Sequence, residues 1–241
     1  MFKLNVLNEI DPVQKQAERG MEQDGISPMD PPDAFAPPGL VPVRPEDLHP
    51  FLRTLSDDHA NLSHELDAIE EVLQSAKLNG FTMASDRAVM GFLQVLDRDF
   101  IPHSRKEEAL LFPLLNRRLI ADGEHSRGET ITTAVDVMEN EHLKAVQLAA
   151  VVLNLVRLAT MLPDQKSALV VLNAGLRELA NLVELLRLHM FREDNILFAS
   201  ANRLISSSEL DEMAAQTVSQ HAAHAHSDDG HEHDHGHDHK H

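Results

Sequence analysis

The sequence predicts an all-α protein: an up-down-up-down four-helix bundle with a short C-terminal fifth helix and disordered tails. Hydrophobic residues form 42% of the 241-residue chain, which is enough for a sizeable core. Between residues 46 and 217 these residues recur every three or four positions, which is the spacing of one face of a helix. Proline and glycine, which interrupt helices, are scarce after residue 50.

Residues that start or stop helices set the expected boundaries. Asn79-Gly80 is a suitable left-handed end for the first helix, and Ser85 is a suitable cap for the second. Pro102 should kink the second helix, and Pro163 should close the third. Short connections make neighbouring helices antiparallel. The expected ranges are 46–78, 84–118, 129–161 and 165–204 for the four long helices and 208–219 for the short fifth helix.

Three regions of different character divide the chain. Residues 1–45 form a Pro-rich N-terminal segment or linker, with a short helix expected near 12–22. Residues 46–217 form the bundle domain. Residues 218–241 form a His-rich and Asp-rich tail with little apolar content, which is typical of disorder.

Composition excludes several classes of function. The formal net charge of −18 argues against a nucleic-acid partner and against adhesion to anionic membranes. The chain has no apolar run of the roughly 18–20 residues that span a bilayer, and its first residues lack the apolar stretch of a signal peptide. We therefore expect a cytoplasmic protein. Because the chain contains no cysteine, any metal must bind through nitrogen and oxygen atoms.

The informative feature of the four long helices is a polar residue in each predicted core seam. The seams are otherwise nearly all apolar. A buried carboxylate or imidazole without a partner is unfavourable, and two carboxylates in one core repel each other. Bound cations remove both costs. The predicted metal ligands are His59, His103, Glu107, His142, His189 and Glu193.

The spacing of these residues suits two metal ions. His103 and Glu107 are four residues apart, as are His189 and Glu193, so each pair lies on one face of its helix. If each Glu bridges two metals, each metal receives two imidazole nitrogens and two carboxylate oxygens. A bridging oxide or hydroxide would complete five-coordination and leave one position open. Such a site favours iron, although manganese and zinc also fit.

Each of these residues, taken alone, would have a plainer structural role. A single His-x-x-x-Glu on a helix is more often a hydrogen-bonded core contact than a metal site, so the prediction depends on all six residues being in register. His49, His64 and His125 miss this register, and His64 is expected on the surface. Glu108 points away from Glu107 and is expected to be solvated or to contact a ligand. For Glu141, a solvated position is favoured over a contact with a neighbouring imidazole.

At these residues the sequence resembles the hemerythrin-like (HHE cation-binding) family. The matching elements, over about residues 46–205, are Asp58-His59, the run from His103 to Pro113, Glu141-His142, and the run from His189 to Phe198. Hemerythrins proper use five His with one Glu and one Asp, whereas this chain offers four His and two Glu. It is therefore similar to the bacterial subgroup of repair-of-iron-centres and nitric-oxide-response di-iron proteins.

The resemblance implies two iron ions with a bridging oxo or hydroxo group and a role in nitrosative or oxidative stress. The favoured function is binding of a small diatomic ligand, most readily nitric oxide, with protection or repair of iron centres. Many repair proteins carry a cysteine-bearing N-terminal segment, and this chain has no cysteine, which weighs against iron donation. A reversible dioxygen carrier or sensor is the first alternative. A ligand-binding protein fits better than a conventional enzyme, and protein partners stay unknown.

The tail suggests a second alternative, a metal-buffering or metal-delivery protein. Residues 221–241 contain nine His, interspersed with acidic residues. Imidazoles and carboxylates at this density bind Zn, Ni, Co or Cu with little selectivity. A solvated charged tail is the simpler interpretation. The candidate ligands are His231, His233, His235, His237, His239 and His241.

Overall fold

The computed structural model describes residues 43–127 and 130–227, and every regular element in these ranges is helical. A short 3-10 turn, Pro45–Asp47, precedes the bundle. Helix α1 is Pro50–Asn79. Helix α2 consists of the segments Met83–Val95, Ile101–Lys106 and Phe112–Asp122, joined by π-helical turns at Leu96–Phe100 and Glu107–Leu111. Helix α3 is Ala134–Met161. Helix α4 consists of Gln165–Arg192, a π turn at Glu193–Leu197, and Phe198–Leu204, and α5 is Ser207–Ser227. The predicted all-α fold is confirmed.

The first two helices begin and end at recognisable signals. Pro50 starts α1, where its missing N–H costs nothing, and the His49 ring accepts a bond from the Phe51 N–H at 3.3 Å. Gly80, at φ 86°, follows α1, close to the predicted stop. Thr82, not Ser85 as predicted, is the cap of α2. The Ser85 N–H donates to Thr82 Oγ1 at 3.2 Å, and Ser85 Oγ accepts in return from the Thr82 N–H at 3.2 Å, so Ser85 is the reciprocal partner of that cap.

Helix α3 begins at Ala134, later than the predicted residue 129. The side chain of Thr133 caps the helix by accepting from the Val135 N–H at 3.1 Å, and Asp136 Oδ2 accepts from the Thr133 N–H at 2.7 Å. This capping box fixes the start, and the preceding threonines are poor helix formers. Asp164 caps α4 through the Ser167 N–H at 2.8 Å.

Helix α5 continues to Ser227, beyond the predicted end at 219 and into the segment assigned to the tail. Alanines at 222, 223 and 225 favour this extension. The expected helix near 12–22 and the candidate tail ligands from His231 onward lie outside the described residues.

The six predicted ligands form a buried polar layer, and this layer divides the hydrophobic core into two parts. One cluster contains Leu62, Phe100, Ala145 and Leu186, and the other contains Leu55, Leu111, Met138 and Leu197. Along each long helix the predicted ligands therefore fall between residues of the two clusters. The bundle thus surrounds a polar layer with apolar packing on both sides.

One helix is long and apolar enough, by length and composition, to cross a membrane, contrary to the expectation from sequence. It is α3, whose most apolar 18-residue stretch is 22% buried. A single such helix is weak evidence for a membrane span. Its inner face carries His142 and Met138, both buried in the bundle.

Candidate metal centre

The structure brings all six predicted ligands into one buried cluster. Their exposed fractions are 4% or less, and both glutamates are fully buried. Helix α1 contributes one residue, α2 two, α3 one and α4 two. The imidazoles form two pairs, His59 with His103 and His142 with His189, with ring centroids 4.7 Å apart in each pair.

Each glutamate lies between the two imidazole pairs. The Glu107 oxygens are 3.3 Å from His103 Nε2 and 3.4 Å from His142 Nε2. Glu193 Oε2 is 3.2 Å from His59 Nε2 and 3.2 Å from His189 Nε2. Both carboxylates therefore contact a histidine of each pair, which is the arrangement needed for two bridging ligands.

The inward-facing atoms of this cluster lack ordinary partners, and this tests whether a metal fits. Six buried side-chain atoms form no hydrogen bond: both carboxylate oxygens of Glu107, both of Glu193, and the Nε2 atoms of His142 and His189. The other two Nε2 atoms, of His59 and His103, are 3.0 Å apart and face each other. Unpaired buried atoms of this kind are costly unless something else binds them. Nitrogen and carboxylate oxygen donors converging on one space fit two cations.

Two groups of donor atoms match this interpretation. Ligand atoms of His59, His103, Glu107 and Glu193 lie within 4.8 Å of one another, as do those of His142, His189 and Glu193. Glu193 belongs to both groups. Because of the 3.4 Å contact of Glu107 with His142, Glu107 also reaches the second pair. The residues therefore suit two adjacent ions that share their carboxylates.

Both glutamates occupy the first position of a π turn. Glu107–Leu111 and Glu193–Leu197 are π-helical, and each turn follows the His-x-x-x-Glu of its helix. A π turn adds a residue to the turn and re-aims the side chains that follow, and such turns are frequent at functional sites. The sequence patterns did not predict them. In both α2 and α4 the π turn begins at the glutamate of the His-x-x-x-Glu, so the two helices have the same local distortion at this place.

The π turn at Leu96–Phe100 has a different cause. It ends two residues before Pro102, which has no N–H to donate and whose ring crowds the preceding helical turn. A wider helical turn thus lies just before the proline at which the kink was predicted.

Every histidine of the cluster also contacts an outer carboxylate through Nδ1. The distances are 3.2 Å for His103 to Asp58, 2.8 Å for His142 to Glu108, 3.2 Å for His189 to Glu141, and 3.0 Å for His59 to Asp194. Each Nδ1–H is donated outward to a carboxylate, so Nε2 is the atom that faces into the cluster. This orientation is what a metal-binding imidazole requires.

Two of these outer carboxylates bear on predictions from sequence. The favoured solvated position of Glu141 is wrong, because its carboxylate is largely buried against His189 and forms an ion pair with Arg192. Glu108 does contact a ligand, one of its two expected positions. The roles of Asp58 and Asp194 were not predicted. A signal was present: each outer carboxylate is the sequence neighbour of a predicted ligand.

Aromatic rings close the cluster. The ring of Phe198 stacks on His59 and that of Phe112 on His142, each with an interplanar angle of 10°. Phe100 meets His142 and His189 edge-on, at centroid distances of 5.7 and 6.0 Å. These rings keep water from the imidazoles and restrict their rotation.

The protein groups shift the pKa values of the cluster strongly. Burial would lower the pKa of His59, but its close contacts with the carboxylates of Asp194 and Glu193 outweigh it and raise the pKa to about 9. In the same way, acidic partners overcome burial to raise the pKa of His189 to about 9 and that of His103 to about 10. Burial would raise the pKa of Glu107, but the neighbouring imidazoles hold it well below its usual range. Protons and metal ions therefore compete for the same donors.

The remaining described histidines stay apart from the cluster. His64 is exposed, as predicted. His49 Nε2 lies 3.4 Å from Asp211 Oδ1, and His125 Nδ1 lies 2.8 Å from the Ser126 carbonyl oxygen. Neither contact involves a predicted ligand.

The fold and the cluster together define a class: a four-helix bundle that carries a histidine and carboxylate cation site in its core. The family model of the hemerythrin HHE cation binding domain matches residues 51–201, which is more than half of the chain. The chain belongs to this family. The resemblance inferred from the sequence motifs is thereby confirmed.

Curated relatives match a shorter stretch. The chain is 27% identical over 115 residues to proteins called iron-sulfur cluster repair protein YtfE from Salmonella typhimurium, Salmonella paratyphi B and Salmonella newport. The match covers 48% of this chain and 47% of each relative, so the chain spans about half the length of the curated relatives it matches. No solved structure matches.

Proposed function

We propose that this protein is a non-haem di-iron protein that binds a small diatomic ligand, most readily nitric oxide, during nitrosative or oxidative stress. One observation carries the proposal. Two fully buried glutamates lie between two imidazole pairs, and their oxygens have no hydrogen-bond partner. The iron pair, with a bridging oxo or hydroxo group, would supply the affinity for the diatomic ligand.

The donor set supports a site for two ions. His59 and His103 would hold one ion, His142 and His189 the other, and Glu107 and Glu193 would bridge them. Each ion would then have two nitrogen and two oxygen ligands from the protein, and positions would remain for a bridge and a small ligand. Neutral imidazole with carboxylate suits iron, and the absence of thiolates disfavours a soft-metal site.

The protein itself contributes orientation and exclusion of water. The four outer carboxylates hold the Nδ1 protons, so every imidazole presents Nε2 to the site. The stacked rings of Phe112 and Phe198 fix two of these imidazoles further. Fully buried carboxylates in an apolar surrounding attract cations strongly, since little water competes for them.

The names of the relatives support a role in the protection or repair of iron centres. We extend that role to this chain as a proposal, on the basis of the shared family and the donor set. The absence of cysteine means that any iron transfer would use nitrogen and oxygen ligands. With a net charge of −18, the protein would act without a nucleic-acid or membrane partner, and we extend to it the cytoplasmic location expected from the sequence.

The test combines metal content with spectroscopy. The purified protein should contain two iron ions per chain, and the reduced form should develop the absorbance and paramagnetic resonance signals of iron that has bound nitric oxide. His103→Ala and Glu193→Ala should lose most of the iron, while the matched control His64→Ala should keep it. A full-length protein without iron, or iron-loaded protein unresponsive to nitric oxide, would refute the proposal.

Two further candidates are separated by the same preparation. A dioxygen carrier or sensor would show a spectrum that changes reversibly with oxygenation. A metal-buffering or metal-delivery protein would depend on the nine His of residues 221–241. Deleting that segment would then abolish metal transfer and leave the two bundle ions in place.

A further inference from the structure

Helix α3 carries an apolar stripe on its outer surface that the bundle does not cover. Leu143 is 58% exposed, Val146 is 43% exposed and Leu153 is 41% exposed, and Ala150 between them is also exposed. These four residues follow one another at spacings of three, four and three, the pattern of a coiled-coil seam. We call them the α3 seam. In a helix whose inner face already packs against the core, such an outer seam indicates a partner.

The seam is symmetric about its middle. Val146 and Ala150 are equally far from Leu148 along the helix, and so are Leu143 and Leu153. The same holds for Glu139 and Arg157, which are exposed at the two ends of the stripe and carry opposite charges. A helix with this pattern is complementary to an antiparallel copy of itself.

We propose that the α3 seam is the interface of a homodimer in which two copies of α3 pack antiparallel across a two-fold axis near Leu148. Leu143 of one copy then packs on Leu153 of the other, and Val146 packs on Ala150. Glu139 meets Arg157 at each end of the interface. A closed two-fold contact of one patch with itself is the commonest assembly of soluble proteins.

The surface beside the seam supports this occupant. An apolar cleft of about 150 Å³ lies between α2 and α3, and its lining includes Val146 and Leu153 of the seam together with Leu93 and Ile101 of α2. Side chains of a second copy can enter this cleft. A seam between Glu139 and Arg157 is about 27 Å long. Alone it is smaller than a standard interface of about 800 Å² per partner, so the dimer is reversible.

A lipid surface fits the same stripe less well. Gln147 and Asn154 are exposed on the side of the seam away from α2, and Lys144 is exposed next to Leu143. These polar groups would be buried in lipid but would lie at the polar rim of a helix pair.

Sedimentation equilibrium of the full chain over a range of concentrations tests the proposal, in about 0.15 M salt to screen the net charge. The native protein should show a monomer–dimer equilibrium. Leu143→Glu and Leu153→Glu should each raise the dissociation constant at least about tenfold, because a charge would be buried without a partner. Both residues are exposed in the monomer, and circular dichroism checks that the variants fold.

Val137→Glu is the matched control. Val137 lies on the same helix and is 46% exposed, yet it points at least about 120° around the helix from each of the four residues of the α3 seam. This variant should dimerise like the native protein. If it dissociates as much as Leu143→Glu, the interface is not the seam.

A charge swap tests the antiparallel register. Glu139→Arg and Arg157→Glu should each weaken the dimer, and the double variant should restore it, since each end again joins opposite charges. A parallel pair would bring like charges together at both ends in the native protein and in every swapped variant, so the single swaps would dimerise like the native protein. Single swaps without effect, or a double variant that is not restored, would overturn the antiparallel arrangement.

Other results of these measurements would overturn the homodimer or assign the α3 seam to another occupant. A protein that is monomeric at every concentration overturns the proposal. If that monomer sediments with phosphatidylcholine and phosphatidylglycerol vesicles, the seam serves a lipid surface. If removal of residues 1–42 creates a dimer, a segment of the same chain covers the seam instead.

Discussion

Glu108 Oε1 lies 2.8 Å from Nδ1 of His142, so a carboxylate on α2 orients an imidazole on α3. The same relation repeats around the bundle in one direction. Asp58 on α1 contacts His103 on α2, Glu141 on α3 contacts His189 on α4, and Asp194 on α4 contacts His59 on α1. The four contacts form a closed ring that ties each helix to the next at the level of the candidate metal centre.

Removal of one of these four carboxylate–histidine contacts should weaken metal binding, although no metal ligand is removed. We expect Glu108→Ala to reduce the affinity for a divalent test ion such as Co²⁺ by about 10–100-fold, the usual effect of losing such a partner. Glu108→Gln keeps an acceptor oxygen and should have a smaller effect. Competition against a chelator measures both. Glu71→Ala, at an exposed position on α1, is the control and should bind normally. Equal affinities of all four proteins would contradict a positioning role.

Metal affinity should rise steeply with pH. The pKa values of His59, His103 and His189 are raised to about 9, about 10 and about 9, so these groups carry protons at neutral pH before metal binds. A metal must displace those protons. Titration calorimetry of Co²⁺ or Zn²⁺ binding in buffers of different ionisation enthalpy should report release of more than one proton at pH 7. A pH-independent affinity between pH 6 and 9 would refute the competition between protons and metal.

The chelated protein should lose stability as the solution becomes alkaline. A histidine whose pKa is raised on folding favours the folded state while it is protonated. Its full contribution is present below the ordinary histidine pKa of 6.5 and is lost as pH rises through about 9 to 10. Urea unfolding of the chelated protein at pH 7 and at pH 10 measures this loss. The metal-loaded protein is the comparison, since its imidazoles are already deprotonated and its stability should change less over the same interval.

Two glycines of long helices should respond differently to alanine. At Gly91 a Cβ atom would have nothing within 4 Å, so Gly91→Ala should stabilise the protein by about 0.5–1 kcal/mol through helix propensity. At Gly175 a Cβ would lie 3.1 Å from Leu155 Cβ and 3.3 Å from a Val156 methyl group, where α3 and α4 pack closely. Gly175→Ala should therefore be less stable than Gly91→Ala, as measured by chemical unfolding. The reverse order would show that α3 and α4 can separate without cost.

The sequence predicted the helices and the six clustered residues because both follow from a strict periodicity. His59 and His142 are found by position alone, since apolar residues flank them at seam spacings. The misplacement of Glu141 has a physical reason. Register within one helix shows which way a side chain leaves its own seam, but not whether a neighbouring helix supplies a partner there. His189 and Arg192 supply it.

The π turns show a second limit of sequence reasoning. Pro102 signals an irregularity in α2, and a π turn occurs next to it. No residue type signals the turns that begin at Glu107 and Glu193. Those turns set the direction of the Glu107 and Glu193 carboxylates toward the cluster. That direction depends on how all four helices pack together. The start of α3 was predicted too early for a simpler reason. Apolar periodicity alone extends a predicted helix outward, whereas a cap such as Thr133 sets where the helix begins.

The polar layer between the two core clusters has a consequence for cooperativity. Charged groups at mid-height interrupt the apolar contacts that would otherwise make the bundle unfold as one unit. Ions shared by residues of all four helices would join the two halves mechanically. Hydrogen exchange should then reveal one cooperative unit in the loaded protein. After chelation it should reveal two units, above and below the layer, that open with different free energies.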